Sequence, residues 1–449
     1  MFALVVGAAV AYSERFGGDD GPYMLLGAIL AVAAAGVILL QWRIGALLLA
    51  AALPFEVPLA FGPGASGIKA LASLTFVSFA LALLTDQKHF ERFAGLWQQP
   101  LTLAVLAFVL WVSASILWST SPGETLRGTI TFLGLLGLMV VIGSLEVRYL
   151  VLAWTVLVFS AALSVPAGYI LPVPEGSDMA VSGRFGPGGA GPNTYSLDLA
   201  IAFFAAYFGL LRRHTTIAFL LAPVFLYGIF TTQSRTGLIA LVATPVLALI
   251  VPRLAGRLGW RIVPMYVLGI AAIAVMVLAI PSAAEPALER YTTLSQIESG
   301  ETWNGRADNW QGALDVVASH PILGVGSGNY AEAAMDYSES VQQHSRSKAE
   351  VAGATHNVVL AVASELGLVG LILLLATVFL AFKTAWLIAQ RSDLGTGVFL
   401  GLIVAMIAGM SQPWEEHKMV YFIFGSVLAL QLHYSGRRAS SAEEHERHT

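Results

Sequence analysis

Residues 353–375 read GATHNVVLAVASELGLVGLILLL, a polar turn that runs straight into a hydrophobic helix, with His356 and Asn357 at the junction. A chain about to enter lipid has no packing reason to place a titratable ring at its threshold. The stretch therefore raises the question of fold and the question of chemistry together.

The composition points to a bilayer as the solvent. Of 449 residues, 57% are hydrophobic and 12% charged, and the mean hydropathy is +0.74, whereas soluble domains carry roughly 25% charged residues. The expected fold class is an all-α polytopic membrane protein. Cysteine is absent, which removes disulfides, thiolate catalysis, iron–sulfur clusters and cysteine-bound zinc. A net charge of −4 leaves no basic footprint, so nucleic acid is not an expected partner.

A spanning helix needs about 20 mainly apolar residues. By that test, spans fall near 1–12 (a short one), 22–41, 44–60, 68–85, 101–118, 126–144, 149–171, 194–211, 215–231, 236–251, 262–281, 357–382, 396–411 and 419–434. The bundle has 12–14 helices, the lower figure holding if the first segment and one of the Gly/Pro-interrupted pair after it do not cross. The organisation expected is an N-terminal transmembrane bundle over 1–281, a polar loop over 282–356, C-terminal spans over 357–434 and a cytoplasmic tail over 435–449, whose SSAEEHERHT reads as disordered. No basic residues precede the first apolar run and no clear cleavage site follows it, so no removable signal peptide is expected. With the N-terminus inside, the inner loops carry Arg43, Lys88, Arg92, Arg148, Arg212, Arg213, Arg253, Arg257, Arg261, Lys383, Arg391, Arg437, Arg438 and Arg447, as the positive-inside rule requires. The same alternation puts 172–193, the TTQSRTG turn, 282–356 and SQPWEEHK on the outer face.

The segment 282–356 is the one sizeable polar insertion. Within it, NGRADNWQGALDVVASHPILGVGSGNY places Asn304 at a helix start, repeats Trp310, Ala313, Leu314 and Val317 at helical spacing, and stops at Pro321. A helix of about 14 residues follows from that pattern. Arg306 lies four residues before Trp310, on the apolar side and near the positive helix start, which suits an anion. The glycines of LGVGSGNY permit a tight turn or close backbone approach.

Charged groups at membrane depth are functional candidates by default. Arg235 sits in FTTQSRTGLIAL with almost no loop around it, and on the outer side, where topology does not favour arginine. Arg184, in SGRFGPGGAGPNTYS, occupies a Gly/Pro-rich stretch, and such backbone near lipid is tolerated mainly where it lines a cavity. Asp198 and Glu365 read as helix polar groups with structural roles. Thr355 stands where it would cap a helix beginning at His356, leaving the ring at the helix mouth, able to accept a proton at neutral pH. There is no H-E-x-x-H, C-x-x-C, D-x-D or G-x-S-x-G, which leaves no metal site or serine triad and no expected cofactor. What remains is arginine for phosphate and histidine for a proton: guanidinium grips phosphate oxygens bidentately and stands in for a divalent cation. That chemistry is transfer from a lipid diphosphate to a hydroxyl.

The order GRFGPGGAGPNTYS, QSRTGLIAL, the long outer loop and THNVVLAVASELGLVGLI resembles the O-antigen ligase and polymerase superfamily of bacterial envelope proteins over residues 180–380. R-x-x-x-W, H-P-x-x-G-x-G and H-N-x-x-L before E-x-G-x-x-G together carry the likeness. It implies a GT-C-like, metal-independent, inverting glycosyltransferase of the bacterial inner membrane, its site facing the periplasm. The implied donor is an undecaprenyl-diphosphate-linked glycan and, for a ligase, the acceptor is lipid A–core oligosaccharide. By motif position, Arg235 and Arg306 would hold the diphosphate and His356 would activate the acceptor. Arg184 and Asn193 would complete a binding pocket that also includes Trp310 and Asn357. A polymerase would use the same donor site. A polysaccharide-lipid flippase is the reading from another class, but it would show two similar halves with matching broken helices, and no such repeat is present.

Overall fold

Proline, serine and asparagine mark many of the helix starts. The structure, a computed structural model, describes residues 33–55, 60–62, 65–171, 184–210, 214–249, 301–344, 355–411 and 417–448, with isolated positions between 256 and 278. α1 (Ala33–Leu40) and α2 (Trp42–Ala52) meet at a bend of 118°. A small hairpin, β1 (Ala60–Gly62) and β2 (Ala65–Ser66), follows. α3 (Gly67–Thr85) starts behind Ser66, whose hydroxyl accepts from Lys69 N. After the short amphipathic α4 (Gln87–Leu96) come α5 (Pro100–Ala114) and α6 (Pro122–Gly143), both opening on proline, whose missing N–H is an orphan donor at that position anyway. α7 (Val147–Ala167) precedes α8 (Pro192–Phe204), which continues as a π-helical segment over Ala205–Leu210. α9 (Thr215–Thr231) and α10 (Arg235–Leu249) lead towards the outer loop, which holds α11 (Glu301–Ser319), α12 (Tyr330–Tyr337) and α13 (Glu339–His344). The chain ends in α14 (Val358–Ala389), α15 (Asp393–Gly409) and α16 (Lys418–His448).

Among the described residues, six helices are long and apolar enough to cross a membrane, seven if the bent α1–α2 pair is one span, and α9, α10 and α15 are shorter apolar helices. The protein is an all-α polytopic membrane protein, and the hairpin is too short to change that class. The spans expected at 1–12 and over most of 262–281 lie outside the described residues. α15 is the hub, packing against α8, α10, α14 and α16, while α6 packs along α16 and α5 along α14. In the core, Trp154 donates its indole N–H to Ser426 (3.0 Å) and meets Phe422 edge-on.

The two ends of the bundle differ in chemistry. At one, Arg43 and Arg148 share the Glu146 carboxylate (2.6 and 2.8 Å), and Arg92 of α4 reaches the Leu145 carbonyl. The opposite end gathers the α5–α6 turn, residues 184–193, the turn before α10 and the outer-loop helices, in keeping with the alternation read from Lys and Arg.

Several boundaries differ from expectation. The boundary expected between 22–41 and 44–60 falls at Gln41, whose non-helical backbone (φ −144°, ψ 80°) separates α1 from α2, but the second segment ends before the hairpin and short of residue 60. α11 begins at Glu301, so Asn304 is inside the helix and not its cap. The end of the expected disordered tail continues α16 as far as His448, because SSAEEHERH has no Gly or Pro to stop it. His356 does not begin a helix and Thr355 does not cap one. Asn357 is the cap, its Oδ1 accepting from Val359 N (2.9 Å) and Leu360 N (3.3 Å), and α14 starts at Val358.

α14 itself is broken. Gly367 has φ +66° and ψ −167°, a region closed in practice to residues with a Cβ, and the polar groups released there meet the LGVGSGNY loop. Gly326 N donates to Glu365 O (2.8 Å), Leu368 N to Pro321 O (2.9 Å) and the Trp111 indole to Leu366 O (3.0 Å). A Cβ on Gly324 or Gly367 would overlap the opposing backbone carbonyl, of Glu365 or Ile322 respectively. The two glycine motifs of the sequence are thus the halves of one joint, which seats the outer loop on a spanning helix.

Candidate active site

The Gly/Pro stretch before α8 folds back on the α9–α10 turn. Phe185 N donates to Thr231 O (3.3 Å), and Arg184 follows with two bonds, Nε to Thr232 O (3.2 Å) and a terminal nitrogen to Asn193 Oδ1 (2.9 Å). Arg184 and Asn193, singled out separately in the sequence, are therefore direct partners. Thr232 also shapes the turn that presents Arg235. Its Oγ1 accepts from Ser234 N, Ser234 Oγ accepts from Gly237 N to cap α10, and Gln233 between them is left-handed at φ +53°. Arg235 is the first residue of α10, where backbone N–H groups and the helix dipole favour an anion. Its neighbour Thr236 bonds to Ser411 (2.6 Å), tying this mouth to the end of α15.

A second cluster forms at the mouth of α14. His356 has φ +44°, uncommon for a residue with a side chain, between a buried Thr355 and the capping Asn357. The Trp310 indole of α11 donates to Thr355 O (2.8 Å), so the loop helix docks one residue from His356. Arg306 stands in α11 one turn before Trp310, and its side chain lies outside the described residues. Both mouths flank α15, which packs on α10 and α14.

Sequence reasoning missed the residues that hold this end together. Glu365 accepts from Gly328 N (2.8 Å) and Tyr330 N (3.3 Å), and Asn329 reaches Ser119 and Thr125 in the α5–α6 turn. Burial, then the nearby Asp315 and Glu365 charges, push the Tyr330 phenol well above its ordinary range, so it stays a donor, to Asn309 O (2.7 Å). Asp198, read as structural, is buried with His417 Nε2 at 3.7 Å. A carboxylate this deep was a legible signal, but nothing in the spacing linked it to a histidine more than 200 residues away.

The fold and the polar mouths at one end of it define a multi-pass membrane protein with its functional candidates gathered on one face. Residues 217–375 match the model of the O-antigen ligase family, a match that supports the resemblance to the O-antigen ligase and polymerase superfamily. No curated protein matches the chain. The matched segment includes Arg235, Arg306, Trp310, His356, Asn357 and the joint at Gly367, and it begins after Arg184 and Asn193. It supports ligase or polymerase activity, that of a membrane glycosyltransferase with lipid-linked glycan substrates.

Proposed function

We propose that the protein is an inverting, metal-independent glycosyltransferase with a GT-C-like fold. It moves O-antigen glycan from undecaprenyl diphosphate to a hydroxyl of lipid A–core oligosaccharide, on the periplasmic face of the bacterial inner membrane. Arg235 and Arg306 hold the diphosphate, and Arg184 with its partner Asn193 completes the pocket. His356 takes the proton of the acceptor hydroxyl as its oxygen bonds to the anomeric carbon, and the carbon–oxygen bond to the diphosphate breaks on the opposite side, its electron pair leaving with the phosphate. The rate comes from positioning and from electrostatic stabilisation of the departing diphosphate.

The observation that carries this reading is where backbone strain falls. Among the described residues, the non-glycine positions with positive φ are Gln233 and His356, one two residues before Arg235 and the other the histidine itself. Left-handed backbone costs an L-residue roughly 1–2 kcal/mol, and such outliers cluster at functional sites. Purified protein given the lipid-diphosphate glycan and lipid A–core, without metal, tests the reading. Glycosylated core is the expected product. Lengthened glycan on the lipid carrier would assign a polymerase, and no transfer of either kind would reject the enzyme.

A further inference from the structure

A continuous set of hydrogen bonds runs from the broken spanning helix to the histidine threshold. The Glu365 carboxylate holds Gly328 N and Tyr330 N, the Tyr330 hydroxyl donates to Asn309 O in α11, and the next residue, Trp310, donates to Thr355 O beside His356. Apolar packing reinforces the same path: Ala313, Val316, Val325, Tyr330 and Ala334 form a core separate from that of the bundle, with Leu360 of α14 packed against it. α11 is therefore fastened to α14 at two places, the joint after its C-terminus and the Trp310 bond in its middle. Its first turns, which include Arg306, precede both fastenings in the chain. We infer that Glu365, Tyr330 and Trp310 are positioning residues that set Arg306 of the outer-loop helix against the His356 mouth, and that Trp310 works through Thr355 and does not bind substrate. The inference rests on the diphosphate-clamp reading proposed above for its effect on rate, but the relay itself is a statement about contacts.

The test uses the full chain in nanodiscs. Trp310→Phe keeps an aromatic ring and loses only the N–H, and Tyr330→Phe loses only the hydroxyl. Each should slow transfer about tenfold, the worth of one well-placed hydrogen bond, with the donor KM unchanged, since an interaction made mainly in the transition state appears in kcat. In an Arg306→Ala background, Trp310→Phe should cost less than about twofold more, because groups acting as a unit are not additive. A tenfold cost in both backgrounds, or wild-type kcat in the single variants, would overturn the inference. Hydrogen exchange without substrate supplies a readout independent of turnover. Trp310→Phe should speed exchange in 301–312 and 355–360 together and leave 42–52 unchanged. If wild-type protein transfers nothing, the proposed function fails, and the exchange result alone decides the relay: unchanged exchange in both outer segments refutes it.

Discussion

Replacing Gly367 with alanine should detach the outer loop from its spanning helix while leaving the bundle folded. At φ +66° and ψ −167°, an L-residue sits in territory essentially reserved for glycine, at a cost of about 1–3 kcal/mol. The new methyl would also overlap the Ile322 carbonyl and come within 2.7 Å of Gly324 N. The backbones must then move apart, losing Leu368 N to Pro321 O and Val369 N to Ile322 O, each worth about 1 kcal/mol. Together the terms remove about 3–5 kcal/mol from docking. The loss is local to the joint, and amides in 321–330 should exchange on the order of 10²–10⁴-fold faster. Exchange mass spectrometry on Gly367→Ala measures this, with Gly134→Ala as control, since a Cβ there meets nothing within 4 Å. Wild-type protection of 321–330 in Gly367→Ala would refute the joint.

The remaining predictions concern the site. His356→Ala and His356→Gly should both lose transfer by about 10²–10⁴-fold, the usual contribution of a general base. The glycine variant should be the more stable of the two by about 1 kcal/mol, because only glycine accepts the left-handed backbone without strain; equal melting temperatures would count against that strain. Arg235→Lys keeps the charge but loses the planar two-point grip, so turnover should fall at least about tenfold, and wild-type rates would reject the clamp. Activity should persist in EDTA; loss on chelation that Mg²⁺ restores would assign leaving-group stabilisation to a metal.

The hydrophobic periodicity made most of the fold legible, because lipid requires each crossing segment to be apolar and internally hydrogen-bonded. The spans expected at 68–85, 101–118 and 126–144 match apolar helices long enough to cross a membrane to within a few residues. The breaks are not legible in this way. Gly367 lies in a mainly apolar stretch, and nothing local distinguishes a glycine that breaks a helix from one that merely rides in it, since the cause is a loop some 40 residues earlier in the chain. The same limit explains the site. Arg184, Arg235 and His356 stood out because charge or titratable groups beside lipid are expensive, whereas Glu365 looked like any satisfied acid until its two backbone donors, 35 and 37 residues away, were seen.

The cap of α14 is Asn357, two residues after the Thr355 that the sequence offers. A helix cap adopts extended backbone so that its side chain can turn back onto the first free N–H groups, and Asn357 does this at φ −154°, ψ 116°. His356, one residue earlier, takes φ +44° and is therefore neither cap nor first helical residue. Two adjacent polar residues differ in role: Asn357 supplies the cap, so capping does not require the histidine. A ring needed only for helix stability would have no cause to occupy strained backbone, because Asn357 already supplies the acceptor. The Trp310 bond to Thr355 then holds the strained residue from the other side. The conformation is over-determined by its neighbours, the condition under which strain persists at a working site, and it accounts for a titratable ring standing where the chain enters the membrane.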